Sequence, residues 1–252
     1  RDYRGGGRSS GRETTARVAA GAIAAKLLKE LGIQVTAYTK SIGSVSISPE
    51  RFDLAVRDTN PVNMPDEQAA REAQQLLNEK MAQKDSVGGI VECVVQGMPA
   101  GVGEPVFEKL DANLAKAMLS IGAVKGMEVG DGFAVTGMSG SKDNDGFYYD
   151  ELGQVKKNSN HAGGIMGGIS DGADIVIRAA FKATPSIASE QSTINQTGEN
   201  ITVSIKGRHD PIIVPRAVVV VESMTALTLV DMLFVSMTSR MDRIKEFFGG
   251  KQ

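Results

Sequence analysis

Three short stretches concentrate residues able to hold an anion. The first, Arg4-Gly5-Gly6-Gly7-Arg8-Ser9-Ser10-Gly11-Arg12-Glu13-Thr14, sets three glycines before two arginines that flank a serine pair. Glycine lets a backbone approach a ligand at little steric cost, and arginine grips a phosphate or carboxylate through two parallel bonds. Ser10-Gly11-Arg12-Glu13 fits a capping box, in which Ser10 and Glu13 satisfy each other's orphan backbone donors. A helix is therefore predicted to start there and to aim its positive end at the loop. The second stretch, Lys182-Ala183-Thr184-Pro185-Ser186, follows a predicted strand, where α/β-type sites often lie. Its lysine and two hydroxyls suit a phosphate or a polyol chain; an ordinary turn capped by Pro185 fits as well. The third is Gly207-Arg208-His209-Asp210-Pro211. Pro211 restrains Asp210 to an extended backbone, which can aim its carboxylate; a surface ion pair with Arg208 in a turn is the plainer reading.

Other chemistries find less support. His161 lies between a polar stretch and a glycine step, and His209 lies in the third motif. With no partner visible in the sequence, each reads as structural or solvated rather than as a general base. Two histidines and one cysteine give no metal-ligand cluster, and no Gly-x-Ser-x-Gly elbow or Walker-type loop occurs. Cys93, within Ile90-Val91-Glu92-Cys93-Val94-Val95, reads as a small core hydrophobe, and a lone cysteine fits a reducing compartment. The first stretch could also be a flexible glycine-arginine tail or an RNA-binding arm. A tail would not end in a helix cap, and a net charge of −2 with 5% aromatics leaves nucleic acid neither a basic footprint nor a stacking platform.

The chain has 252 residues, 41% of them hydrophobic, enough for a substantial core. No uninterrupted apolar run approaches the ~20 residues that span a bilayer; the longest, 217–221, is strand-sized. Helix formers predict a helix over 16–31, stopped by Gly32. Alternation predicts a strand over 33–41. A helix over 66–83 follows Pro65. Further expectations are a strand over 88–96, a helix over 110–120, and a strand over 124–135 bent at Gly130-Asp131-Gly132. Residues 139–160 lack any period and read as a long mobile loop. Strands follow over 174–181 and 201–206; residues 214–234 start apolar and become helical, and 239–252 read as a flexible tail. Two Gly-Gly-Ile steps, Gly88-Gly89-Ile90 and Gly163-Gly164-Ile165, hint at a strand–helix–strand order used twice.

The three stretches, with Asn160-His161-Ala162-Gly163-Gly164-Ile165, resemble chorismate synthase. The resemblance extends along the whole chain through Gly21-Ala22-Ile23-Ala24, Ser120-Ile121-Gly122-Ala123-Val124-Lys125-Gly126, Gly167-Gly168-Ile169-Ser170 and Glu222-Ser223-Met224, in the family's order and spacing. It implies a single α+β domain, with helices sandwiched between antiparallel sheets and an internal strand–helix–strand duplication. It implies a phospho-lyase of the shikimate pathway, in aromatic amino acid biosynthesis. The reaction is an anti 1,4-elimination of phosphate from 5-enolpyruvylshikimate 3-phosphate that gives chorismate and needs reduced FMN. It further implies a cytoplasmic homotetramer with no metal, nucleic acid or membrane partner. Carried over by motif, Arg8, Ser9, Ser10, Gly122, Ala123, Gly167, Lys182, Ala183, Thr184, Pro185, Ser186 and Arg208 match flavin-binding positions. Gly11 and Arg12 match substrate-binding positions, and Asp210 matches the aspartate that assists proton removal. Gly11 stands where the family commonly has alanine, a change that a backbone contact should tolerate. The family's two catalytic histidines belong to segments that would precede Arg1, so the chain as given is expected not to turn over alone. Two other classes stay open: a non-catalytic flavin- or phosphate-binding fragment, and an oligomerisation domain.

Overall fold

Ser10 caps a short 3₁₀ turn, Gly11–Glu13, that runs directly into α1 (Thr14–Glu30). The cap is half of the expected box. The Arg12 N–H donates to Ser10 Oγ at 3.3 Å, and the Glu13 carboxylate turns to Arg17 Nε at 2.8 Å instead of reaching back. The tighter 3₁₀ turn brings the second amide to the hydroxyl, and the i,i+4 arginine is the stronger partner for Glu13. At the other end Gly32 takes a left-handed φ of +73°, while the Ile33 N–H bonds back to Leu28 O at 2.9 Å, closing the helix where expected.

The computed structural model describes residues 10–205 and 210–249. After α1 come β1 (Gln34–Ile42), β2 (Val45–Ser46), α2 (Glu67–Ala82), β3 (Gly89–Gln96), α3 (Leu110–Leu119) and β4 (Val124–Val129). Then follow α4 (Gly140–Asp143), β5 (Phe147–Tyr149), β6 (Val155–Lys157), β7 (Ile165–Met166), β8 (Ile169–Ser170) and β9 (Ile175–Phe181). The chain ends with β10 (Gln191–Ile194), β11 (Asn200–Val203), α5 (Val214–Met237) and α6 (Met241–Phe248).

The fold is α+β. Five strands form one antiparallel sheet in the order β2-β1-β3-β9-β4, and the other strands pair two by two as β5-β6, β7-β8 and β10-β11. Among the described residues this is the one large sheet. α5 lies on it against β1 and β3, flanked by α1 and α3. The first Gly-Gly-Ile step opens β3 and completes a strand–helix–strand unit, β1–α2–β3. The second opens β7, and strands alone follow it until α5.

Strand alternation decides what each face buries. Ile175, Ile177, Ala179 and Phe181 of β9 point into the helix side, while Val176, Arg178 and Ala180 between them are half-buried. Cys93 faces α5 beside Thr225 and is fully buried, which pushes its thiol up to about 12; it is inert, as its neighbours imply. The opposite face carries one polar row across four strands, Tyr38, Glu92, Arg178 and Glu128 in register. Buried Glu92 accepts from Tyr38 Oη at 2.7 Å, Arg178 Nε at 2.6 Å and Lys40 Nζ at 3.0 Å. Burial alone would raise its carboxyl, but these three donors outweigh that and hold it below the usual carboxylate range.

Residues 217–221 are not a strand: they lie inside α5, whose 24 residues are helical from the first. Tertiary packing overrides their β-branched preference. α5 is long and apolar enough to cross a membrane by length and composition. Here it lies against α1, α3 and the sheet, and Val214, Val221, Ala226 and Leu229 are fully buried there. Its closest neighbour is α1. A Cβ on Gly21 would meet Ser223 Cβ at 2.3 Å, so the two helices touch where Gly21 has no side chain. Ile23, Leu27 and Leu31 form a second apolar stripe on α1 that stays exposed.

The expected strand 124–135 stops at Val129, and a 3₁₀ turn, Gly132–Gly137, replaces the rest. Residues 139–160, expected as a loop, contain α4 and the β5-β6 hairpin. The ribbon's strands are too short to show a period, and their anchor is polar. Lys157 Nζ lies 2.9 Å from both Asp145 and Asp171, all three well buried, and Asp145 also takes the N–H groups of His161 and Ala162. The segment expected as a tail holds α6 up to Phe248.

Candidate functional site

Two helices, α1 and α5, begin at the same place. Between their first turns lies a cleft of about 580 Å³, of a size typical for a small-molecule site. Ser10, Gly11 and Arg17 line one wall, and Asp210, Ile213 and Arg216 line another. The turn after α3 contributes Ser120 and Gly122, and the end of β9 contributes Phe181. The described parts of the first and third stretches thus meet around one cavity. A larger cavity, about 660 Å³, sits at the far ends of α1 and α5 among Leu27, Leu31 and Phe234; none of the candidate residues lines it.

Arg17 pins the wall together. Its Nη1 donates to Ser120 Oγ at 2.6 Å and its Nη2 to Ser120 O at 3.2 Å, while Nε holds Glu13. The next turn leaves room for a ligand: a Cβ on Gly122 would meet nothing within 4 Å. Ala123 takes a left-handed φ of +73°, rare for a residue with a side chain. That turns its carbonyl to the Lys182 N–H at 3.0 Å, tying the Gly122 turn to the segment after β9.

Asp210 is held from both sides. Arg216 chelates it through Nη1–Oδ2 at 2.7 Å and Nη2–Oδ1 at 3.1 Å, and the Val87 N–H fixes Pro211 O at 2.9 Å. The carboxylate also borders a side cavity of about 160 Å³ lined by Lys84, Ser86 and Ile187. Ser86 Oγ donates to Thr184 O at 2.7 Å, while Thr184 Oγ1 is buried with no partner among the described residues.

Among the described residues the charges lining the cleft cancel in pairs, Arg17 with Glu13 and Arg216 with Asp210. The two helix starts add the partial positive charge of their dipoles to this cleft.

The sequence candidates divide accordingly. Ser10, Gly11, Gly122 and Asp210 line the cleft. Lys182, Ala183, Thr184, Pro185 and Ser186 run on from Phe181 beside it, with Lys182, Ala183 and Pro185 exposed. Ala123 supports the wall without lining it. Arg12 is exposed and lies outside the lining. Gly167 lies in the β7-β8 turn next to Gly168, whose carbonyl takes the Leu110 N–H at the start of α3. Ser120 is at the other end of that helix, about 15 Å away. Arg8, Ser9 and Arg208 fall outside the described residues. Sequence reasoning missed Arg17 and Arg216. Arg17 had a signal, the i,i+4 spacing from Glu13; Arg216 had only its place at a helix start, and the reading paired Asp210 with its neighbour Arg208.

His161 has a partner after all, Asp131, with Nδ1 to Oδ2 at 2.6 Å. That bond, with the fields of Asp131, Asp145 and Asp143, raises the imidazole above its ordinary 6.5. A raised value means stability that is complete below pH 6.5 and is lost as the pH climbs through the folded-state value. The melting-point gap between the wild type and His161→Gln is therefore expected to be larger at about pH 5.5 than at about pH 9. Differential scanning fluorimetry across that range checks it; a gap that widens with pH contradicts the assignment. Among the described residues no group of His, Cys, Asp and Glu is arranged to hold a metal.

The chorismate synthase family model matches residues 1–234. The chain belongs to the chorismate synthase family. The chorismate synthase of Lachnospira eligens is 62% identical over 248 residues, covering 98% of this chain and 68% of that protein. That of Lachnoclostridium phytofermentans is 60% identical over the same span. A solved chorismate synthase crystal structure superposes with a TM-score of 0.76 at 29% identity, over 95% of this chain and 68% of that one. These likenesses support chorismate synthase function, a lyase activity, and do not favour a purely ligand-binding or oligomerising fragment.

Proposed function

We propose that the cleft at the joined starts of α1 and α5 binds reduced FMN and 5-enolpyruvylshikimate 3-phosphate, and that chorismate and inorganic phosphate leave it. The observation that carries this reading is the meeting of Ser10 and Gly11 with Asp210 and Gly122 around one cavity. The residues fit a flavin mononucleotide: the space over Gly122 offers room, and the positive ends of the two helices at the cleft offer a phosphate seat. When bound, the reduced flavin supplies electron density as the ring C–O bond breaks. Phosphate leaves with the electron pair of that bond, a ring proton is lost from the far end of the allylic system, and the ring double bond becomes a conjugated pair. No net oxidation occurs.

The chain's own contribution is position and charge. The positive ends of the two helix dipoles stabilise the negative charge that grows on the departing phosphate, which matters more than binding it beforehand. Arg17 keeps the Ser120–Gly122 wall in place, and Asp210 assists removal of the ring proton at its carboxylate. Arg8, Ser9, Arg12, Gly167 and Arg208 enter this reading through the family motifs. The family's homotetrameric assembly in the cytoplasm belongs to the same proposal; the exposed Ile23, Leu27 and Leu31 stripe offers it apolar surface. Anaerobic assay of the full-length protein tests the reading. Chorismate absorbance and phosphate are expected to appear one for one with reduced FMN, and neither with oxidised FMN. Flavin fluorescence quenching without phosphate release would mark a non-catalytic binder instead.

A further inference from the structure

We propose that Arg216 is a positioning residue for Asp210: it holds the carboxylate by both oxygens and turns it toward the main cleft. This rests on the reading of Asp210 given above and deepens it. A two-point bond fixes the plane of a carboxylate as well as its place. The backbone between the two residues is also held. Val87 anchors Pro211, Ile212 and Val214 are buried, and the Arg216 N–H bonds to Ile213 O at 3.1 Å.

The direction of the hold is what matters. Asp210 borders two cavities, the cleft and the smaller side cavity. Arg216 lines only the cleft, and Lys84 lines only the side cavity. The cleft's lining cations are Arg216, which is bonded to Asp210, and Arg17, which is taken up by Glu13 and Ser120; the side cavity's is Lys84. Without Arg216, a side-chain rotation would let Asp210 turn toward Lys84 and away from the Gly11 and Gly122 walls. The pair itself is exposed, Arg216 at 73% and Asp210 at 39%, so it adds little to folding stability. Its consequence lies in the geometry of the site, where a misplacement of about 1 Å is costly.

The test is a double-mutant cycle in the full-length protein, with Arg216→Ala, Arg216→Lys, Asp210→Asn and the double variant Asp210→Asn/Arg216→Ala. Arg216→Ala is expected to lower kcat by about 10–100-fold while KM for the phosphorylated substrate and the FMN affinity stay within about threefold. Arg216→Lys keeps the charge but makes one bond, and is expected to recover less than half of the loss on a logarithmic scale. In the Asp210→Asn background the same alanine change is expected to alter kcat by less than about twofold, because the group it positions is already gone. A purely structural role for Arg216 would lower kcat by the same factor in both backgrounds, and that additive result would overturn the proposal. A raised KM with unchanged kcat would overturn it too, since Arg216 would then contact substrate directly. Full activity of Asp210→Asn alone would instead remove the role of Asp210, whatever Arg216 does.

Discussion

Replacing Asp210 with asparagine in the full-length protein is expected to lower kcat by about 10²–10⁴-fold, the range that positioned acid–base groups supply. Asparagine has the same shape but takes up no proton, and it puts an NH₂ against one of the Arg216 nitrogens that now donate to it. One of the two bonds is lost and the remaining oxygen is poorly aimed. The melting temperature is expected to move little, because the pair is exposed and exposed pairs contribute about 0–1 kcal/mol at most. Activity and stability therefore separate at this position. Anaerobic turnover with reduced FMN, measured beside a thermal melt, decides it. A kcat within about threefold of wild type would remove Asp210 from the chemistry.

The largest expected loss of stability is at Gly21. Its missing side chain lets α1 and α5 touch, with Ser223 Cβ 2.3 Å and Ser223 Cα 2.6 Å from where a Cβ would sit. Such contact cannot be relieved by a rotamer change, since the obstacle includes backbone. Gly21→Leu must push the helices apart, a cost of about 3 kcal/mol or more. For a chain of this size that is a fall of roughly 6–12 °C in Tm. The control is Ala20→Leu, one residue away on the exposed side of α1, which is expected to change stability by less than about 0.5 kcal/mol. Because both helix starts wall the cleft, Gly21→Leu is also expected to weaken flavin binding, read by fluorescence quenching. Equal melts for the two variants would show that the helices do not meet at this glycine.

Where a helix or strand was long and carried its own signals, its limits were legible. α1, α2, β3, α3 and β9 each lie within two residues of the expected bounds, because periodicity, caps and Gly32 act locally. The elements that escaped had no local signal. The β5-β6 ribbon is three residues wide and stands on the buried Lys157 between Asp145 and Asp171. The β-branched run at 217–221 is helical because α5 packs between α1, α3 and the sheet, and no local preference outweighs that burial.

The sequence by itself determined the family and the α+β class and offered the candidate site residues, because glycine steps, helix caps and arginine spacing are written one after another along the chain. Tertiary structure decided which of them meet. It brought Ser10 and Gly11 to Asp210 from the far side of the chain, added Arg17 and Arg216, and set Gly167 at the other end of α3. That division has a physical cause. Local hydrogen bonding and periodicity are properties of neighbours in sequence, whereas a cleft between two helix starts exists only once the apolar faces of α1 and α5 have been buried against each other.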